Sequence, residues 1–165
     1  MFQINELSSE SIHNLKKLQN YSMYNYKRIL YCEIESKIDF KNFLWSLDYK
    51  QILIGIIVTK RELQDLRDVV NEKETNIEMN SNNKVGINKY YVELLTEKNS
   101  FLNNIELLEF LFISAEANDI LFIIIDPVLD YCFFNFKTNE LFVDTAKAKA
   151  YISFDYDASG LIIIE

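Results

Sequence analysis

At 165 residues, with seventeen basic against twenty-five acidic side chains and a net charge of −8, the chain is the length of one domain and presents a surface that repels nucleic acid and anionic membrane. Hydrophobic residues make up 49% of it and aromatic residues 14%, which excludes a disordered tail and predicts a packed core. Cys32 and Cys132 form no CxxC pair and His13 is the only histidine, so neither a zinc site nor a histidine-based catalytic triad is expected.

Phe2–Leu7 alternates apolar and polar side chains as a strand does, and Ser8-Ser9-Glu10-Ser11 offers a cap for a helix carrying Ile12, Leu15 and Leu18. Met1–Glu6 has no basic stretch followed by an apolar run, so a secretory signal is not expected and the cytoplasm is the expected compartment. The tyrosine-rich stretch Tyr21–Tyr26 fits no single period. Asp39 can cap a second helix with Phe40, Phe43, Leu44 and Leu47 on one face and Trp45 at its flank. Gln51–Val58 is a continuous β-branched run, as expected of a strand buried on both faces.

Lys60–Asn83 is polar and reads as a short helix or irregular excursion, then a loop through Asn80-Ser81-Asn82-Asn83. Lys89–Glu97 resumes a strand, and Asn103 or Asn104 can cap a helix with Ile105, Leu108, Phe112 and Ala115 on one face. Ile120–Ile125 is a second buried-strand run, stopped by Asp126-Pro127, and Leu129–Phe136 reads as a short helix. Phe142-Val143, Ala150–Phe154 and Leu161–Ile164 complete the order as strands. No repeat or linker interrupts it, so the expectation is a single domain over residues 1–165, α+β in class, with a mixed sheet and helices on both faces.

Val92-Glu93-Leu94-Leu95, the segment Thr96–Asn104, the run Leu121–Ile125 and the aromatic stretch Asp126–Phe136 follow one another in an order that resembles the GNAT-type N-acetyltransferase fold over nearly the whole chain. The resemblance implies an acetyl-CoA cofactor, Val92–Leu95 as the strand facing it, Leu121–Ile125 as the next strand and an aromatic helix after that. In that family the helix after the first of these strands opens with Gln/Arg-x-x-Gly-x-Gly/Ala, whose amides hold the pyrophosphate. Between Thr96 and Ile105 this chain has neither glycine nor arginine. Side chains at Ser100, Phe101 or Leu102 would hold a phosphate away from the amides, and Lys98 is flanked by Glu93, Glu97, Glu106 and Glu109. The expectation is therefore a scaffold without its chemistry and without a cofactor. Glu93 as general base and Tyr131 as proton donor stand where such enzymes place these groups; the plainer reading makes them a solvent-facing strand residue and a member of an aromatic cluster. Cys132 is a weaker nucleophile candidate.

Acidic, rich in Asn, Ile, Lys, Phe and Tyr, the chain also resembles in type the bacterial immunity proteins that neutralise a toxin domain by covering it. That resemblance implies a non-catalytic protein with a basic toxin domain, such as a nuclease, as its partner. Exposed tyrosines would anchor such a partner, with Tyr21, Tyr24 and Tyr26 as candidates, and Asp126, Asp130, Asp144, Asp155 and Asp157 would supply charge. The bland alternative places the tyrosines in the core or its rim and the acids on a solvated face. The competing function is a divergent acetyl-CoA-dependent N-acetyltransferase, and a third is a scaffold that binds another small ligand between the two strands; oligomeric state stays open.

Overall fold

The structure, a computed structural model, describes residues 2–15, 18, 21–71, 76–116, 121–155 and 158–165. In chain order its elements are β1 (Ile4–Glu6), α1 (Ser9–Asn14), β2 (Tyr21–Tyr24), β3 (Ile29–Glu33), α2 (Lys37–Ser46), β4 (Gln51–Thr59), α3 (Lys60–Asn71), β5 (Ile77–Gly86), β6 (Lys89–Glu97), α4 (Lys98–Asn103), α5 (Ile105–Glu116), β7 (Leu121–Ile125), β8 (Phe134–Asn135), β9 (Glu140–Asp144), β10 (Ala150–Phe154) and β11 (Gly160–Ile164). An eight-stranded sheet in the order β1-β3-β11-β10-β7-β4-β6-β5 and a three-stranded sheet in the order β2-β9-β8 make an α+β fold.

Every pairing in the large sheet is antiparallel, so it is not the mixed sheet the element order implies; the parallel pair is β2 with β9, in the small sheet. Residues of α2, α3, α4 and α5, among them Phe40, Leu66, Phe101 and Leu111, pack on one face of the large sheet. The other face is covered by the small sheet, through Phe134, Leu141 and Val143, with only Ile12 of the short α1 beside them. Helices therefore form one layer rather than two, because α1 is a single turn and a half and a sheet face that large needs a second sheet to bury it.

β4 holds the centre. Ile52–Val58 is buried throughout, and β4 pairs in register with both β6 and β7, placing Gly55 opposite Glu93 on one side and opposite Phe122 on the other. The Phe122 ring lies across Gly55 and fills the space a Cβ there would need. It stacks with Tyr91 at 6.2 Å and Phe134 at 6.4 Å, and Tyr91 stacks on Phe134 at 4.5 Å, which ties the two sheets together through aromatic area.

Capping follows sequence chemistry closely. The Ser8 hydroxyl accepts the Ser11 N–H, and in α2 the cap is Ser36 rather than Asp39: Ser36 accepts the Asp39 N–H, and the Asp39 carboxylate accepts the Ser36 hydroxyl and the N–H of Glu35, the residue before the cap. The buried Asn104 separates α4 from α5, its side-chain oxygen accepting the Leu107 N–H. β5 replaces the loop read over Asn76–Asn83: Ile77 and Met79 pack against the core, Glu78 and Asn80 are exposed, and β6 pairs with it antiparallel, with register shifts after Asn80 and after Lys84. The stretch Leu129–Phe136 is a turn and the short β8, not a helix, because Phe133 and Phe134 are both drawn into the core.

Candidate functional site

Asp126 and Asp130 lie on the connection that follows Ile125 of β7, and Asp144 ends β9, where β2 brings Tyr24 opposite it. After Ile125 the chain turns at Asp126, whose φ of 46° is left-handed, a conformation Asp tolerates when its carboxylate is held locally. One carboxylate oxygen accepts the N–H groups of Lys50 and Gln51 at 2.9 and 3.0 Å. Asp126 thus clamps the start of β4 and is a turn residue rather than free charge for a partner. The next residues, Val128, Leu129 and Asp130, are exposed, Leu129 by 62%, and the Val128 N–H is anchored to the Lys147 carbonyl.

Beside this turn β2 runs parallel to β9 with Tyr24 opposite Asp144. Side chains alternate along β2: Tyr21 and Met23 pack inward, whereas Tyr24 is 53% exposed. The Asp144 carboxylate accepts the Asn25 amide at 3.0 Å and the Ala146 N–H at 3.0 Å, which hold its carboxyl below the usual range. Tyr131 is half-buried; burial raises its phenol, and Asp144 and Tyr24 are near enough to raise it further. The Lys147 ammonium sits 5.4 Å from the Tyr131 ring centre, and Tyr26 continues the exposed chain beyond Asn25. Tyr24, Val128, Leu129 and Tyr131 with Asp130 and Asp144 thus make an amphipathic patch built on rigid strands and one anchored turn.

Of the remaining candidates, Tyr21 is not an anchor. Its hydroxyl is hydrogen-bonded to Ser153 at 2.6 Å across the sheets, and burial pushes its phenol up to about 12 despite that bond. Asp155 sits at the far end of β10, where it accepts the Tyr31 hydroxyl at 3.2 Å, and so belongs to a different surface. Asp157 lies outside the described residues. Val128 and Leu129 are exposed apolar residues beyond the sequence candidates; their signal is two aliphatic residues following the proline after a buried strand.

Burial also raises the phenols of Tyr49, Tyr91 and Tyr151. Below about pH 10 these groups are neutral in both the folded and unfolded chain; above it the unfolded phenols ionise first, so stability falls as pH rises from about 10 towards 12. The urea midpoint should hold steady from about pH 8 to 9.5 and drop between about 10 and 11. A midpoint unchanged at about pH 11 would contradict the burial of these hydroxyls.

The acetyltransferase-like elements are arranged differently. β4 lies between β6 and β7, so the cleft between those two strands that the resemblance implies is filled by β4. No loop separates β6 from α4: the strand ends at Glu97, the helix begins at Lys98, and the Lys98 N–H donates to the Lys50 carbonyl. The Lys98 ammonium donates to the carbonyls of Trp45 and Leu47 at the end of α2 and lies 4.8 Å from the Tyr49 ring centre, so its charge serves that helix end. A cleft of about 680 Å³ does open here, but Glu97 and Asp126 line it with Lys50 and Lys98, and two carboxylates oppose a polyphosphate. Glu93 accepts the phenol of the buried Tyr91 at 2.7 Å, which spends the carboxylate a general base would need. The Cys132 thiol contacts the Phe134 carbonyl at 3.2 Å.

Among proteins of known sequence, the chain is similar to the uncharacterized protein YxiK of Bacillus subtilis (strain 168), 24% identical over 154 residues that span 93% of this chain and 94% of that protein. No family model matches. No solved structure matches either. Among the described residues no helix is long and apolar enough to cross a membrane, and no cluster of His, Cys, Asp and Glu is arranged to hold a metal ion.

Proposed function

We propose that this is a non-catalytic acidic binding protein of the immunity type, acting in the cytoplasm, which neutralises a basic toxin domain by docking it on the Tyr24–Leu129–Tyr131 patch. The observation that carries this reading is the patch itself: an exposed tyrosine and two exposed aliphatic residues held beside carboxylates on a rigid frame. Large side chains with few rotatable bonds provide contact area at small entropic cost, and fixed carboxylates select a cationic partner. The net charge of −8 favours the approach of a cationic partner.

The acetyltransferase alternative makes an opposite prediction that one titration resolves. With Lys98 committed to α2 and β4 occupying the expected cleft, acetyl-CoA should give no saturable heat up to roughly 1 mM at low salt, a ceiling weaker than about −4 kcal/mol. Micromolar binding would overturn the proposal and restore the enzyme reading.

A further inference from the structure

At the opposite end of β4, roughly 27 Å from Gln51 at about 3.4 Å per residue, a cleft is lined by cations and by no carboxylate, although α3 as a whole also carries Glu62, Asp65 and Asp68. Lys60, Gln64 and Arg67 form an i, i+4, i+7 stripe along α3 that faces the β5–β6 hairpin, and with Arg61, Asn88 and Tyr90 they line a cleft of about 590 Å³. Among the described residues neither Lys60 nor Arg61 has a carboxylate within ion-pair distance, and Arg67 is held by the Ser81 hydroxyl at 3.1 Å rather than by an acid. Asp68, on the same helix, is engaged by the Gln64 amide at 2.9 Å.

Three cations lining one concavity are unexpected in a chain of net charge −8, and among the described residues only Arg67 of the three has a structural contact, to Ser81 of β5. They are not needed to finish the helix: Thr59 and Glu62 form a reciprocal capping box, the Thr59 N–H donating to Glu62 at 2.6 Å and the Glu62 N–H to Thr59 at 3.3 Å. Tyr90 is half-buried on β6 and offers a ring as one wall; Asn88, with φ of 59°, fixes the hairpin tip as the other. The volume lies within the range of small-molecule sites, and the lining pairs phosphate-recognising side chains with an aromatic surface.

We infer that this cleft binds a phosphate-bearing small molecule of mononucleotide size, its phosphoryl group between Lys60 and Arg67 and its ring against Tyr90. The site is separate from the docking patch, so either can fail without the other. The test is an NMR titration of the 15N-labelled full chain with AMP, inorganic phosphate and adenosine in parallel. AMP should shift the amides of Lys60, Gln64, Arg67, Asn88 and Tyr90 saturably, and Arg67→Gln and Lys60→Gln should each weaken it by about tenfold, the effect of losing one charge-assisted contact. Phosphate shifting the same amides more weakly than AMP places the ring contact. Four outcomes would overturn the inference: no saturable shift from AMP or phosphate up to roughly 10 mM, shifts indifferent to both substitutions, adenosine binding as well as AMP, or phosphate binding as well as AMP.

Discussion

Phe122→Ala should destabilise the chain by about 3–5 kcal/mol, measured as a fall in urea midpoint at unchanged slope. The ring is fully buried at the centre of the large sheet, stacks with Tyr91 of the same sheet and Phe134 of the small sheet, and covers Gly55 across the β4–β7 pair. Its removal leaves a cavity where the two sheets meet, and the surrounding strands cannot close it without breaking register. Gly55→Ala attacks the same contact from below, since a methyl there forces the ring aside; about 1–3 kcal/mol is expected. Together the two substitutions should cost less than their sum by about 1 kcal/mol, because the new methyl occupies part of the vacated volume. Strict additivity would mean that the ring and the glycine are not packed as described.

The second large effect concerns the partner. Tyr24→Ala should weaken binding of a basic toxin domain by about thirtyfold or more, roughly 2 kcal/mol, while shifting unfolding by no more than about 0.5 kcal/mol. Tyr21→Phe should do the reverse. Its hydroxyl pairs with the buried Ser153 and faces no solvent partner, so removing it costs about 1 kcal/mol of stability and leaves binding intact. The contrast between two tyrosines on one four-residue strand separates a docking role from a packing role. Equal effects on binding from both substitutions would place the interface elsewhere.

That contrast also marks what the sequence made legible. Tyr21, Tyr24 and Tyr26 look alike in composition, and only the alternation of a strand distinguishes the inward Tyr21 from the outward Tyr24; without the strand assigned, the period had nothing to act on. β4, β6 and β10 were readable because burial on both faces, or one long alternating face, writes itself into consecutive residues. β5 was not, because an edge strand with one solvated side tolerates asparagine at most positions, and its Ile77 and Met79 are a thin signal. β3, over Ile29–Glu33, was passed over although Ile29 and Cys32 are fully buried; its partners, β1 and β11, come from the two ends of the chain.

The same limit applies to the sheet order. Strand, helix, strand in sequence gives no local instruction that β4, rather than β6, should flank β7, because the choice is made by long-range pairing of apolar runs. Of the acidic candidates, Asp144 falls opposite the exposed Tyr24 and Asp130 on the exposed turn after Pro127, whereas Asp126 serves its turn and Asp155 the other end of β10. Asp126 and Asp144 each accept two hydrogen bonds from nearby chain, a local use that the residue type alone does not announce in a sequence.

The most direct test of the proposed docking role is a biosensor measurement of association between this chain and the product of the reading frame adjacent to its own, at low and physiological salt. The account predicts tight, saturable binding whose on-rate falls several-fold as screening shortens to roughly 8 Å, and whose affinity collapses with Leu129→Asp. Binding that ignores both salt and Leu129→Asp, or no binding at micromolar concentration, would contradict it.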